Sequence, residues 1–212
     1  MKPLLDCKLY TFVDTACLSG RAPEVVAQQL CDGGADLIQL RAKKSSPAEI
    51  RKMAEKILLI TRRANVGLVI NDHLEIARET GAEFCHLGQE DFFDGGRAHV
   101  SELRTPNSEL RMGLSTHSPE QAKRALAAGP DYVAIGPVYA TGTKPTATPV
   151  TLEYVRWAAT NVPLPWFAIG GINLENLGDV LAAGARRVCV VSAILNAPDV
   201  AGACAKFRRR LA

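Results

Sequence analysis

Three polar side chains alternate at the end of a short apolar segment and could together bind a polyanion. The segment ends in QLRAK, with Gln39, Arg41 and Lys43 at every second position. Alternate residues of a β-strand point to one face, so these three side chains would lie together. Arg41 can make a forked contact to a phosphate, and Lys43 adds a point charge. A solvated basic loop is the alternative, because Lys44 follows directly.

Two carboxylates follow the next two segments of this kind. Asp72 comes after Asn71, and Asp91 closes the run GQED. Carboxylates on neighbouring loops suit Mg²⁺, which takes oxygen ligands and is commonly completed by substrate phosphates and water. Each residue also has a simpler explanation, Asp72 as a helix N-cap and Asp91 as a turn residue. The basic residues on the preceding segment favour the metal interpretation.

Further polar groups follow in the second half of the chain. Ser115 could donate to a phosphate, whereas His117 could titrate near neutral pH or pack at the base of a loop. A later loop carries Thr141, Thr143 and Lys144, which can offer hydroxyl groups, backbone N–H groups and a positive charge to a phosphate. This loop lacks the P-loop spacing, and a plain surface loop is the alternative.

The elements that must position these residues alternate regularly along the chain. Eight short segments rich in β-branched residues are predicted as strands: Leu9–Val13, Leu37–Arg41, Leu68–Asn71, Phe84–Leu87, Arg111–Ser115, Tyr132–Ile135, Phe167–Ile169 and Val188–Ser192. Helical patterns lie between and after them, at Glu24–Cys31, Pro47–Ala64, Leu74–Thr80, Pro119–Ala128, Thr151–Ala159, Leu174–Ala183 and Val200–Leu211. Residues 91–103 give no clear prediction.

Strands that alternate with helices pair in parallel through right-handed crossovers. Eight such units in 212 residues average about 26 residues each, close to the lower size limit of a (β/α)8 barrel. We therefore predict an α/β fold with one domain, a (β/α)8 TIM barrel over residues 1–212. A doubly wound open sheet is the alternative. In the barrel, the polar residues would meet at the carboxyl ends of the strands, where such enzymes carry their chemistry.

A barrel also implies a second anion site. The last two predicted strands lead into Gly170-Gly171 and Val191-Ser192, and the loops after these strands commonly bind phosphate through backbone N–H groups. Gly171 would let the backbone approach closely. A basic, Mg²⁺-assisted site suits a diphosphate, and a metal-free site suits a monophosphate. The residues therefore predict an enzyme that joins a diphosphate-bearing substrate to a phosphorylated one.

Composition excludes several classes of protein. The chain has 25 Lys and Arg, 22 Asp and Glu, and 47% hydrophobic residues, values typical of a globular protein rather than a disordered one. No apolar run approaches the ~18 residues of a membrane span, and the N-terminus lacks the apolar core of a secretion signal. Six cysteines form no CxxC pair, which favours buried thiols in a reducing cytoplasm. Few aromatic residues and scattered basic residues argue against nucleic-acid binding.

Seven motifs, in this order, make the sequence similar to the thiamine-phosphate synthase family. They are QLRAK at 39–43, ND at 71–72, HLGQED at 86–91, GLSTH at 113–117, TGTK at 141–144, AIGGI at 168–172 and VVSAI at 190–194. The resemblance implies a (β/α)8 fold and a transferase of thiamine biosynthesis, which couples hydroxymethylpyrimidine diphosphate to thiazole phosphate. It also implies a dissociative mechanism, in which pyrophosphate departs first and the thiazole nitrogen captures a pyrimidinylmethyl cation.

The same resemblance implies roles for individual residues. Those that would bind the pyrimidine diphosphate are Gln39, Leu40, Arg41, Ala42, Lys43, Asn71, Ser115 and Lys144, of which Arg41, Lys43, Ser115 and Lys144 would be catalytic. Those that would bind thiazole phosphate are Thr141, Gly142, Thr143, Gly171, Val191 and Ser192. Asp72 and Asp91 would bind Mg²⁺.

A thiazole tautomerase of the same fold is the competing function. It would share the GGI motif and the serine-rich end of the fifth strand, and it would use a histidine near His117. It needs neither a diphosphate site nor an Mg²⁺ pair, so Asn71, Asp72, Asp91 and Lys144 together favour the synthase. A non-catalytic barrel that senses phosphorylated ligands is a further alternative. We expect a cytoplasmic enzyme with two small phosphorylated substrates and without nucleic-acid or membrane partners, and the sequence is compatible with a homo-oligomer.

Overall fold

A computed structural model of the chain describes residues 1–105, 108–141 and 148–211. Its strands are β1 Leu9–Asp14, β2 Leu37–Arg41, β3 Gly67–Asn71, β4 Phe84–Leu87, β5 Arg111–Thr116, β6 Tyr132–Ile135, β7 Trp166–Ile169 and β8 Val188–Cys189. The strands pair in parallel in chain order, and β8 pairs with β1 to close the sheet. The predicted (β/α)8 barrel is thus confirmed, and the open sheet is excluded.

Helices surround the barrel within the described residues. They are α1 Pro23–Asp32, α2 Pro47–Arg63, α3 Leu74–Thr80, α4 Gln89–Phe93, α5 Pro119–Ala127, α6 Thr151–Asn161, α7 Leu177–Ala182, α8 Ser192–Leu195 and α9 Val200–Arg210. Short 3₁₀ turns lie at Leu4–Asp6, Thr15–Cys17 and Val100–Leu103. Over the same residues, no helix is both long and apolar enough to cross a membrane.

Local chemistry determines where several helices begin. The Ser46 hydroxyl accepts the Glu49 N–H at 3.3 Å, and the Glu49 carboxylate accepts the Ser46 N–H at 2.7 Å, so a reciprocal capping box starts α2. Ser118 likewise accepts the N–H of Gln121 at the start of α5. Both caps precede a proline at the first helical position, where the missing N–H has no consequence.

Two predicted boundaries near the end of the chain are wrong. The strand predicted at Val188–Ser192 ends at Cys189, because the backbone of Val191 leaves the extended region and Ser192 begins α8. The helix predicted from Leu174 begins three residues later. Asn173 and Asn176 explain the delay, since each side-chain oxygen accepts the other residue's backbone N–H, at 2.8 and 3.0 Å, and forms a turn instead.

Aromatic rings fill the barrel directly below its mouth. Tyr10 and Tyr132 both pack edge-on against Phe167, with centroid separations of 5.3 and 5.7 Å. Tyr132 also meets Phe84 at 6.0 Å. The barrel interior is therefore a packed core, and it provides a floor for whatever binds at the carboxyl ends of the strands.

Candidate active site

A cleft of about 910 Å³, including the part open to solvent, lies at the carboxyl ends of the strands. The predicted site residues that line it are Gln39, Arg41, Asn71, Ser115, Thr141, Gly171, Val191 and Ser192. The barrel therefore brings members of both predicted anion sites to one mouth.

Leu40 and Ala42, which were also predicted as site residues, do not line this cleft. Leu40 and Ala42 are buried, with 1% and 6% of their surface exposed. They alternate with the cleft-lining residues of β2, so they face the opposite side of the strand. Gly142, Thr143 and Lys144 lie outside the described residues.

Arg41 is held by a carboxylate that sequence reasoning missed. Its Nη1 lies 2.7 Å from Oδ2 of Asp14, a residue at the end of β1 with only 1% of its surface exposed. The parallel register of β1 and β2 places the two residues directly opposite each other. The second oxygen of Asp14 accepts the N–H of Ala16 at 3.1 Å. Asp14 therefore orients the Arg41 guanidinium at the rim of the cleft.

Asp72 accepts hydrogen bonds from two of the residues predicted to bind diphosphate. Lys43 Nζ and Asn71 Nδ2 both donate to its Oδ2, the latter at 2.6 Å. The backbone N–H of Asp72 donates to the carbonyl of His86 at 2.9 Å, which holds the residue between β3 and β4. Its side chain keeps 21% of its surface exposed. Lys43 therefore contacts Asp72, the candidate metal ligand, and does not line the cleft.

Asp91 lies beyond the end of the neighbouring strand. It belongs to the first turn of α4, directly after β4, and its Oδ2 lies 2.6 Å from where a Cβ on Gly88 would be. The side chain thus folds back over the strand end. Over the described residues, no three His, Cys, Asp or Glu side chains gather as a complete metal site. The carboxylates of Asp72 and Asp91 fit Mg²⁺, which commonly takes one or two carboxylates and completes its shell with phosphates and water.

A chain of polar side chains runs beneath the mouth. Gln39 Nε2 donates to the hydroxyl of Tyr10, which lies 3.2 Å from the hydroxyl of Tyr132. The Tyr132 oxygen lies 3.1 Å from His86 Nδ1, and His86 Nε2 lies 2.9 Å from Ser115 Oγ. Burial raises the pKa of both tyrosines, so their hydroxyls stay protonated. Buried contacts therefore link two predicted diphosphate residues, Gln39 and Ser115.

Sequence reasoning missed Tyr10, Tyr132 and His86 as site residues because each belongs to a mostly apolar strand that was read as core. One available signal was Gly113 in the middle of β5, since glycine within a strand often marks a close approach. Gly113 lies opposite His86 on one side and Tyr132 on the other. A Cβ on Gly113 would lie 2.5 Å from the Tyr132 oxygen, so the missing side chain lets the phenol reach His86.

Gly171 connects two loops on the other side of the cleft. It has φ +64°, and a Cβ there would lie 2.6 Å from the Ala140 carbonyl oxygen and 2.7 Å from Tyr139 Cβ. Its own carbonyl accepts Asn176 Nδ2 at 2.9 Å. Glycine at this position therefore allows the loop after β7 to pack against the loop that leads to Thr141.

His117 lines the cleft but is anchored to the backbone. Its Nδ1 contacts the carbonyl oxygen of Gly136, and its N–H donates to Gln121 Oε1 at 2.7 Å. These contacts fix the orientation of the His117 ring through Nδ1 and do not involve Nε2, so both interpretations of His117 stay open.

Comparison with known proteins gives one consistent result. The family model described as thiamine monophosphate synthase matches residues 9–194. A thiamine-phosphate synthase of Thermus thermophilus is 45% identical over 185 residues, which is 84% of each chain. One of Acidothermus cellulolyticus is 41% identical over 212 residues, covering 99% of this chain and 97% of that relative. A solved thiamine phosphate pyrophosphorylase from Pyrococcus furiosus superposes with a TM-score of 0.85 at 30% identity, covering 97% of this chain and 95% of the other.

Proposed function

The chain belongs to the thiamine monophosphate synthase family, and we propose that its cleft couples hydroxymethylpyrimidine diphosphate to thiazole phosphate, giving thiamine phosphate and pyrophosphate. The observation that carries this assignment of sites is one cleft with two unlike sides. Gln39, Arg41 and Ser115 line one part, and Gly171 and Ser192 line another. Two phosphorylated substrates can therefore meet within a single mouth.

The diphosphate binds on the side of β2 and β5. Arg41, oriented by Asp14 at 2.7 Å, supplies a forked donor for phosphate oxygens. Ser115 donates from the end of β5, and Gln39 and Asn71 contact the pyrimidine. Lys43 and Lys144 add positive charge as the leaving oxygen becomes negative, which lowers the energy of the transition state. The role of Lys144 rests on its position in the sequence motif.

Mg²⁺, held by Asp72 and Asp91, would neutralise charge on the departing diphosphate. The side-chain contacts of Asp72 support this role. Lys43 and Asn71 hold its carboxylate at the end of β3, on the strand next to the one that leads to Asp91.

Thiazole phosphate binds on the side of β7 and β8. Thr141, Gly142, Thr143, Gly171, Val191 and Ser192 form its phosphate site, in which backbone N–H and hydroxyl groups suit a monophosphate. Binding at this position holds the thiazole nitrogen towards the pyrimidine methylene. Such proximity supplies much of the rate enhancement when two substrates must react with each other.

The reaction needs no side-chain nucleophile. The bond between the methylene carbon and the diphosphate oxygen breaks first, and its electron pair leaves with pyrophosphate. The nitrogen lone pair of the thiazole then forms the new bond to the pyrimidinylmethyl cation. The tautomerase alternative needs neither a diphosphate site nor an Mg²⁺ pair, so the presence of Asn71, Asp72, Asp91 and Lys144 together supports this reaction over it.

The proposed enzyme works in the cytoplasm. All six cysteines are free thiols, which suits a reducing compartment.

The direct test is to incubate the purified chain with both substrates and Mg²⁺. We expect thiamine phosphate and pyrophosphate to appear in equal amounts, and far less pyrophosphate when the pyrimidine diphosphate is supplied without thiazole phosphate. Isomerised thiazole without pyrophosphate would support the tautomerase instead. Binding of either substrate without any product would support a phosphate sensor.

A further inference from the structure

The contacts of the polar chain beneath the mouth favour one direction. The Gln39 amide nitrogen can only donate, so the Tyr10 oxygen accepts from it. Either tyrosine could donate across the 3.2 Å contact between them, but a buried hydroxyl proton needs an acceptor, and Tyr132 is the one within reach of Tyr10 among the described contacts. A phenol offers one proton. Tyr132, which accepts from Tyr10, therefore donates its proton to Nδ1 of His86, 3.1 Å away.

Burial raises the pKa of both tyrosines, so both hydroxyls stay protonated and each has one proton to donate along the chain.

The direction of the chain decides which nitrogen of His86 carries the proton. Because Nδ1 accepts from Tyr132, the neutral ring carries its proton on Nε2. Nε2 lies 2.9 Å from Ser115 Oγ and donates to it. The Ser115 oxygen thus accepts from the buried side, and its proton can point into the cleft that Ser115 lines.

We infer that Tyr132 is a positioning residue, which through the Nε2 proton of His86 presents the Ser115 hydroxyl as a donor to the diphosphate. The inference rests on the proposed function, because that function places an anion beside Ser115. Phosphate oxygens accept hydrogen bonds and do not donate them. If the chain ran the other way, Ser115 would donate to His86 and would turn only lone pairs towards the anion.

Tyr132→Phe is the variant that tests this role. It removes the hydroxyl and keeps the ring that packs against Tyr10, Phe84 and Phe167. We expect kcat for pyrophosphate release to fall about tenfold or more, as for a weakened transition-state donor, with an unchanged KM for thiazole phosphate. Tyr154→Phe is the matched control, because it also removes a buried phenol hydroxyl, 2.7 Å from Thr116 Oγ1 and outside the chain. Its kcat should stay within about twofold of wild type.

A double-mutant cycle separates positioning from a general structural effect. In the Ser115→Ala background, Tyr132→Phe should change kcat by less than about twofold, because the hydroxyl it positions is gone. Equal slowing in both backgrounds would overturn the inference, since Tyr132 would then act independently of Ser115.

Nitrogen-15 NMR of the full-length wild-type chain tests the tautomer itself. With His86→Gln used to identify the signals, we expect His86 to carry its proton on Nε2 and an unprotonated Nδ1, and Tyr132→Phe to shift the ring towards the Nδ1-protonated form. An Nδ1 proton in wild type would overturn the inference. The spectra need no substrate, so they decide on the direction of the chain even if the two-substrate incubation gave no pyrophosphate.

Discussion

Asp14 and Arg41 lie opposite each other at the ends of β1 and β2, and a contact of 2.7 Å joins the carboxylate to the guanidinium. The carboxylate is buried, whereas Arg41 reaches the cleft. The buried Asp14 carboxylate thus fixes the direction of the partly exposed Arg41 guanidinium. Binding of a polyanion at this rim then needs less ordering of the Arg41 side chain.

Asp14→Asn tests this arrangement. The asparagine oxygen can still accept the N–H of Ala16, but the negative charge that orients Arg41 is lost. We expect kcat/KM for the pyrimidine diphosphate to fall about tenfold to a hundredfold, as for a catalytic group displaced by about 1 Å. Asp199→Asn is the control, because Asp199 also accepts a backbone N–H but caps the distant helix α9. Equal kinetics for the two variants would contradict the role given to Asp14.

Mg²⁺ dependence tests the pair Asp72 and Asp91. Activity should disappear in excess EDTA and return when Mg²⁺ or Mn²⁺ is added. Asp91→Asn should raise the Mg²⁺ concentration needed for half-maximal rate, because a neutral amide is a weaker ligand for a hard cation. Asp94→Asn, three residues further on and also exposed, should leave the Mg²⁺ titration unchanged. Undiminished turnover in EDTA would show that the reaction does not need Mg²⁺.

Gly171→Ala tests the thiazole phosphate side. Its Cβ would lie 2.6 Å from the Ala140 carbonyl oxygen, so the two loops must separate. We expect the apparent KM for thiazole phosphate to rise more than that for the pyrimidine diphosphate, together with a loss of stability of about 1–3 kcal/mol. Gly20→Ala is the matched control, because Gly20 also has a positive φ, +82°, but has no heavy atom near the added Cβ. If Gly171→Ala impaired only the pyrimidine substrate, the assignment of the two sites would be reversed.

His117 and Lys144 separate the synthase from the tautomerase. Since the proposed reaction needs no side-chain nucleophile, His117→Asn should slow pyrophosphate release only a few-fold. Lys144→Ala should slow it by on the order of 10²-fold, because a group that stabilises the leaving charge is removed. Steady-state rates of the two variants show which substitution slows pyrophosphate release more, and thermal unfolding checks that both variants are folded. Complete loss of activity in His117→Asn with an intact fold would show that this residue takes part in the chemistry.

The barrel could be predicted from sequence because each unit repeats the same local signals. The bounds of β2, β4 and β6 coincide with the predicted segments. Each of these strands is a short apolar segment between polar junctions, and the junctions mark where the strand begins and ends. The start of α7 could not be predicted, because it depends on the reciprocal bonds of Asn173 and Asn176. Such side-chain contacts produce no periodic signal.

The cleft was predictable to the extent that strand alternation determines which residues share a face. That rule places Gln39 and Arg41 together at the mouth. It does not reveal partners on other strands. The contact of Asp14 with Arg41 depends on the register of two neighbouring strands, and the contact of Tyr132 with His86, two strands away, depends on the gap left by Gly113 between them. The layer of contacts behind the cleft therefore required the three-dimensional structure.

In the proposed reaction, the cleft stabilises a departing pyrophosphate and the cation it leaves behind. This can be measured with single-turnover rates on a pyrimidine diphosphate whose ring methyl is replaced by trifluoromethyl. The electron-withdrawing group destabilises positive charge on the methylene and leaves the diphosphate contacts largely unchanged. We expect a steep fall in the rate of the chemical step with similar substrate affinity. A rate close to that of the natural substrate would contradict the dissociative reaction and would indicate a concerted displacement by the thiazole.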